Sequence, residues 1–205
     1  MSVPYKDFIM NDFFIASNRS LKLSAGDVDL EVRQITMKDF DLWLVASSEI
    51  KTSLKNIEVY SDEILKKIVS QFEVQCYSII NLVTDLDIDS IIKTKINNLD
   101  IFIELVKKTL EANHAYFYEK TVKRNRRAQQ SENAESWFDS LQLLVTAGHP
   151  HESIMNMSYG TYKHYLDAAV KAYKRNIATQ AGIVRVAQHA AAKEFKKYLD
   201  DIKPD

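Results

Sequence analysis

The chain is predicted to be mainly α-helical with a small N-terminal β-hairpin element, organised as two helical units joined by a basic linker. Three observations lead there. After Ile35 the apolar residues recur every three or four positions, the period of a helix with one buried face. Only the stretch from Asp12 to Ile35 alternates with a period of two. The 205 residues include only four Gly and three Pro, too few for a turn-dense all-β architecture.

Between Asp12 and Ile35, Phe14 and Ala16, then Leu21 and Leu23, then Val28, Leu30 and Val32 fall on one side of the alternation. Asn18 to Ser20 and Ser24 to Asp27 supply turn residues, so two or three short antiparallel strands are expected. Thr36 followed by Asp39 resembles a capping box, and Phe40, Trp43, Leu44 and Ser47 then carry a first helix to about Ile50. Ser61, with Asp62 and Glu63 at the positive end of the helix dipole, starts a second helix that continues through Ile68, Phe72, Cys76 and Ile79 to Leu82. Asp85 to Asp89 form an acidic turn. Ile91, Ile92 and Ile96 mark a short helix, recapped at Asn97 and Asn98. A fourth helix carries Ile101, Leu105, Lys108 and Ala112 and extends toward Ala115 and Tyr118.

Five of the eight residues from Lys120 to Arg127 are basic, and Gln129 to Ala134 are polar without apolar periodicity, the composition of a solvated linker. The chain therefore divides into an N-terminal hairpin-plus-helix unit, 1–119, a linker, 120–134, and a C-terminal helical unit, 135–205. In the last unit Trp137, Phe138, Leu141, Leu144 and Val145 form an amphipathic helix stopped by Gly148 and Pro150. Glu152 to Met157 make one more helical turn or two. From Thr161, residues Tyr162, Tyr165, Leu166, Ala169, Tyr173 and Ile177 keep a helical phase that runs on through Val184, Ala187, Ala191, Phe195 and Leu199. A continuous helix of that length spans roughly 60 Å, too long for so small a domain to cover. Either a partner covers it or Gly182 breaks it.

Composition narrows the function by exclusion. The 27 basic and 28 acidic residues leave a net charge of -1, so no global field recruits nucleic acid or an anionic membrane. Cys76 is the single cysteine, which precludes a disulfide within the chain and suits a reducing, cytoplasmic compartment. Residues 1–10 lack the basic and apolar regions of a signal peptide, and Asp85, Asp87 and Asp89 interrupt the apolar run nearest in length to a membrane span. No nucleotide-cradling glycine motif, zinc-protease motif or nucleophile elbow is present. His149, His151 and Glu152 lie close together in sequence, but tetrahedral zinc needs further ligands that Cys76 and His164 are poorly spaced to supply. Asp85, Asp87 and Asp89 start like a calcium loop, yet Ser90 stands at the glycine position and Ile96 at the closing glutamate. Cys76 lies on an apolar helix face with no histidine within a turn or two, as a structural thiol does. No enzyme activity, metal or cofactor is expected. Trp43, Trp137, Tyr159, Tyr162, Tyr165 and Tyr173 remain, as core residues or as anchors of a protein interface.

Two segments carry a resemblance. Asp27 to Phe40, DVDLEVRQITMKDF, and Trp137 to Gly148, WFDSLQLLVTAG, with Ile154, Met157, Ser158, Tyr162, Tyr165 and Leu166 after it, resemble the opening and the C-terminal domain of the long form of phage tail assembly chaperones. The likeness implies a non-enzymatic protein of long-tailed, non-contractile phages. Such a protein coats the tape measure protein before the tail tube polymerises around it, helps recruit tail tube subunits, works in the host cytoplasm and is absent from the mature virion. Binding a long helical client repeatedly needs exposed apolar or aromatic helix faces and weak self-association. A homo-oligomer is therefore among the expected states, while the charge balance and the short apolar runs argue against a nucleic-acid or membrane partner. The binding residues expected on this basis are Trp137, Leu141, Leu144, Gly148, Ile154, Met157, Tyr162, Tyr165 and Leu166. Part of the cluster, Tyr162 included, is expected to stay open as a groove edge, with Gly148 to Met157 as a second contact. The alternative from charge patterning alone is a small DNA-binding or regulatory module using Lys120 to Arg127 and the Tyr- and Lys-rich C-terminal helix.

Overall fold

The computed structural model describes residues 12–25, 28–55, 57, 59–118, 137–189 and 191–201. They form a mainly helical body with a two-stranded antiparallel sheet near its N-terminus. Helix α1 spans Asp12–Ala16, strands β1 and β2 span Leu21–Ala25 and Val28–Val32, and a 3-10 turn at Met37–Asp39 leads into α2, Phe40–Ser53. Helices α3 (Asp62–Gln71), α4 (Glu73–Val83), α5 (Ile88–Asn97), α6 (Leu99–Ala112) and α7 (His114–Phe117) follow. The C-terminal part holds α8 (Trp137–Thr146), α9 (His151–Asn156), α10 (Tyr159–His189) and α11 (Ala192–Asp201).

The hairpin is as its alternation predicts. Leu21 pairs with Val32 and Leu23 with Leu30, so their side chains share one face, and Leu21 and Val32 are buried there. Lys22 opposite Glu31, and Ser24 hydrogen-bonded to Asp29 at 2.7 Å, occupy the other face. The third strand expected around Phe14 is instead α1. A strand sends neighbouring residues to opposite faces, whereas Phe14 and Ile15 are both buried and Ala16 is exposed. The chain leaves α1 through Asn18, at φ +48°, whose N–H closes onto the Ile15 carbonyl at 3.1 Å.

Two helix boundaries also differ from expectation. Thr36 and Asp39 do join, through their side chains at 3.0 Å, but around the 3-10 turn, so α2 begins at Phe40 and runs three residues beyond Ile50. The helix expected from Ser61 to Leu82 is two: Phe72, at φ -128° and ψ 43°, breaks it, which lets α3 lie against α6 while α4 packs on α2 and α5. The acidic turn is a cap, since Asp87 accepts the Ser90 N–H at 2.7 Å, and Asn98 caps α6 by accepting from Ile101 at 3.1 Å. Gly182 does not interrupt α10, which continues to His189.

Residues 119–136, which include the basic linker at 120–134, lie outside the described residues. On either side of them the chain contributes to one hydrophobic core. Leu144, Ile154 and Tyr162 join Val32, Ile35, Phe40, Trp43 and Tyr116 in it. Gly160 marks the closest approach. A Cβ there would stand 2.9 Å from Ile15 Cγ2 and 3.3 Å from Ala115 Cβ. Gly160→Ala gains about 1 kcal/mol of helix propensity but adds overpacking of about 1–3 kcal/mol. Net destabilisation is therefore expected in urea titration, and Gly160→Val should lose more; a stabilised Gly160→Ala would contradict the packing.

Candidate partner-docking surface

The extended stretch before α2 and the turn before α10 run antiparallel and fix the geometry of the C-terminal segment. Met37 donates its N–H to the Met157 carbonyl and Tyr159 donates to the Ile35 carbonyl, both at 2.9 Å, with Thr36 opposite Ser158. Asn18 adds a side-chain clamp: its Oδ1 accepts the Ser158 N–H at 3.1 Å and its Nδ2 donates to the Asn156 carbonyl at 3.4 Å. Ser158 Oγ accepts the Thr161 N–H at 3.2 Å as a cap of α10, and Thr161 Oγ1 donates to the Ile15 carbonyl at 2.7 Å. Buried polar groups are thereby satisfied only when the two parts of the chain are together.

Aromatic rings fill the same seam. Phe40 stacks on Tyr159 with centroids 4.5 Å apart and meets Trp137 edge-on at 5.3 Å; Trp137 in turn lies 6.1 Å from Tyr162. Beside the seam an open groove of about 470 Å³ runs between the end of α1, α9 and the start of α10, with Asn18, Glu152, Asn156, Met157, Thr161 and Tyr165 among its walls.

The nine residues expected to bind a partner divide by accessibility. Leu144 and Ile154 are fully buried and Tyr162 is 2% exposed, so these three are core, and Tyr162 is not the open member of the cluster that the sequence suggests. Leu141, Met157 and Leu166 are half-buried, and Gly148 is exposed at φ +98°, the left-handed conformation that closes α8. Trp137 and Tyr165 remain open at 48% and 41%, with Tyr165 also packed on the His149 ring at 4.7 Å. Tyr165 and Met157 reach the groove; Trp137 reaches the exposed side of α8. The next residue, Phe138, is 72% exposed, and the stripe Trp137, Leu141, Leu144 leaves it out. One residue on a helix is a rotation of about 100°. Phe138, Leu141 and Val145 therefore form a second apolar strip, out of phase with the buried one, and that phase offset is legible in the sequence.

Titratable groups with displaced equilibria serve the fold: Cys76 and Glu73 lie away from this surface, and Tyr162 is buried in its seam. Burial, with the charge of Glu73 assisting, pushes the Cys76 thiol up to about 12, leaving it protonated and inert. Hydrogen bonds from Lys95, 2.6 Å away, and from Tyr77 hold the Glu73 carboxyl below its ordinary range. Burial raises the Tyr162 hydroxyl. Among the described residues no group of three His, Cys, Asp or Glu side chains is placed to hold a metal ion, and no helix is long and apolar enough to cross a membrane. Comparison with protein-family models, with curated proteins and with solved structures finds no match to the chain. The chemistry on offer at the surface is apolar contact with a polar rim, as a protein partner would use.

Proposed function

We propose that the protein is a tail assembly chaperone of long-tailed, non-contractile phages. It holds the tape measure protein soluble in the host cytoplasm, helps bring tail tube subunits to it, and leaves before the virion is complete. It has no enzyme activity and uses no cofactor. The observation that supports this reading is the double role of α8: one face, through Leu144, seals the core, while Trp137, Phe138 and Val145 stay open to solvent at 48%, 72% and 40%. An exposed apolar strip on a helix whose opposite face is anchored in the core suits a client that is itself a long helix with apolar faces.

Co-expression with a tape measure protein, a long helix-rich chain, tests the reading. The client should move from the pellet to the soluble fraction and be retained on the tagged chaperone. Phe138→Asp combined with Val145→Asp should cut retention by roughly tenfold or more with the melting temperature unchanged, since both side chains point outward. Failure of the native protein to retain the client, or full retention by the double variant, refutes it. Binding to linear duplex DNA that weakens steeply with salt would transfer the function to the nucleic-acid class.

A further inference from the structure

Helix α10 outruns the body it starts in. Its first residues, Gly160, Thr161 and Tyr162, are buried, whereas every residue from Lys171 to Gly182 is exposed and only Ile183 and Val186 are half-covered beyond. At 1.5 Å per residue the free part is an arm of about 30 Å. An isolated helix of this length is marginal in water unless a face is buried against something. The arm does carry such a face. Val170, Ile177 and Val184 recur seven residues apart, with Tyr173 and Ala187 at the intervening positions of the same stripe and Gln180 as its one polar member. Tyr173, Ile177 and Val184 are 59%, 48% and 55% exposed. A 3.5-residue average spacing with β-branched residues at one of its two positions is the pattern of a helix that pairs with another helix.

Charge says what kind of helix. Lys171, Lys174, Arg175 and Arg185 stand on the arm, and no Asp or Glu occurs between Asp167 and Glu194. Lys174 and Arg185 flank the stripe, so a second arm packed on it would bring like charges within about 8 Å, the Debye length at physiological salt, with no carboxylate on either arm to offset them. The chain's own segments outside the described residues offer no complement: 119–136 is itself basic, and 1–11 has one Lys against one Asp. A membrane surface is a poor fit, because 171–189 contains no Trp, Phe or Leu to insert. Nucleic acid would use the cations but leave the apolar stripe bare.

We propose that the arm of α10, residues 170–189, is a docking helix for an acidic amphipathic helix of a different protein, which packs its apolar face on Val170, Tyr173, Ile177 and Val184 and sets its carboxylates against Lys174 and Arg185 beside that stripe. The site is separate from the strip on α8 and does not depend on the tail-assembly reading.

Fluorescence anisotropy with the full-length protein tests this. The probe is a labelled synthetic peptide of about three heptads, with Leu and Ile at the two core positions and Glu beside them. It should bind, more weakly but still measurably when salt rises from about 50 to about 300 mM. Ile177→Glu with Val184→Glu should weaken it roughly tenfold or more at unchanged melting temperature, because neither side chain is part of the core. Charge reversal at Lys174 and Arg185, the cations that flank the stripe at about 100° per residue, should weaken it comparably, as a check through different residues. The proposal falls if the peptide does not bind, or if a scrambled peptide of the same composition binds equally. It falls also if duplex DNA or phosphatidylserine-containing vesicles bind the arm more tightly, or if sedimentation shows the arm engaged in self-association that excludes the peptide.

Discussion

Tyr162→Ala is expected to destabilise the protein by about 3–5 kcal/mol, while Tyr165→Ala, three residues along the same helix, should stay within about 0.5 kcal/mol of the parent. Tyr162 is 2% exposed, lies between Trp137 and the core, and closes the seam joining α8 and α10 to α2 and α7. Its removal leaves a cavity that the surrounding rings cannot collapse into without giving up the Phe40 contacts with Tyr159 and Trp137. Tyr165 is 41% exposed and lies at the groove. Urea unfolding followed by far-UV circular dichroism measures both. Because residues from before 119 and after 136 share the core, Tyr162→Ala should shift one cooperative transition. Loss of the C-terminal helices alone, with the N-terminal part unfolding at its original midpoint, would contradict the shared core.

Asn113→Ala should cost about 2–4 kcal/mol, the penalty of leaving more than one buried polar group unpaired. Asn113 is 4% exposed; its Oδ1 accepts the Ile35 N–H at 2.7 Å, and its Nδ2 donates to the Thr109 carbonyl at 3.0 Å and the Arg33 carbonyl at 3.4 Å. One side chain thus terminates α6 and holds the extended stretch that pairs with the turn before α10. Asn113→Asp separates the acceptor from the donor. It keeps an oxygen for Ile35 but turns a carboxylate toward two carbonyls, so the folded state favours the protonated acid and its pKa rises above the unfolded value. The native state then binds the extra proton, and stability of this variant should increase as pH falls from about 7 to about 4. A variant whose stability falls in step with the parent over that range would show that the amide donor matters little.

The parts legible in the sequence are those decided by neighbours along the chain. The β1–β2 hairpin follows from alternation over Leu21–Leu23 and Val28–Val32, and the caps at Ser61, Asp87 and Asn98 and the stop at Gly148 follow from local backbone chemistry. The helical period of α2, α6, α8 and α10 was equally plain, because amphipathic spacing records that a face is buried. It does not record what the face is buried against. At α1 the alternation of Phe14 and Ala16 pointed to a strand, and only contact with α10 through Ile15 and Gly160 decides for a helix. Likewise the break at Phe72 leaves the apolar phase of α3 and α4 unaltered, so no local pattern announces it.

The candidate surface divides along the same line. Its residue types and their helical spacing were in the sequence, and so was the division of Trp137–Phe138 between two phases of one helix. Which of them a partner can reach was decided by tertiary structure: Leu144, Ile154 and Tyr162 disappear into a core shared with Val32, Ile35 and Phe40, and Trp137, Phe138, Val145 and Tyr165 are left outside. The physical reason is that burial of apolar area is non-directional and blind to sequence distance. The nearest apolar surface for the C-terminal helices was that of residues more than a hundred positions earlier, and the hydrogen bonds of Asn18, Met37 and Tyr159 hold them there.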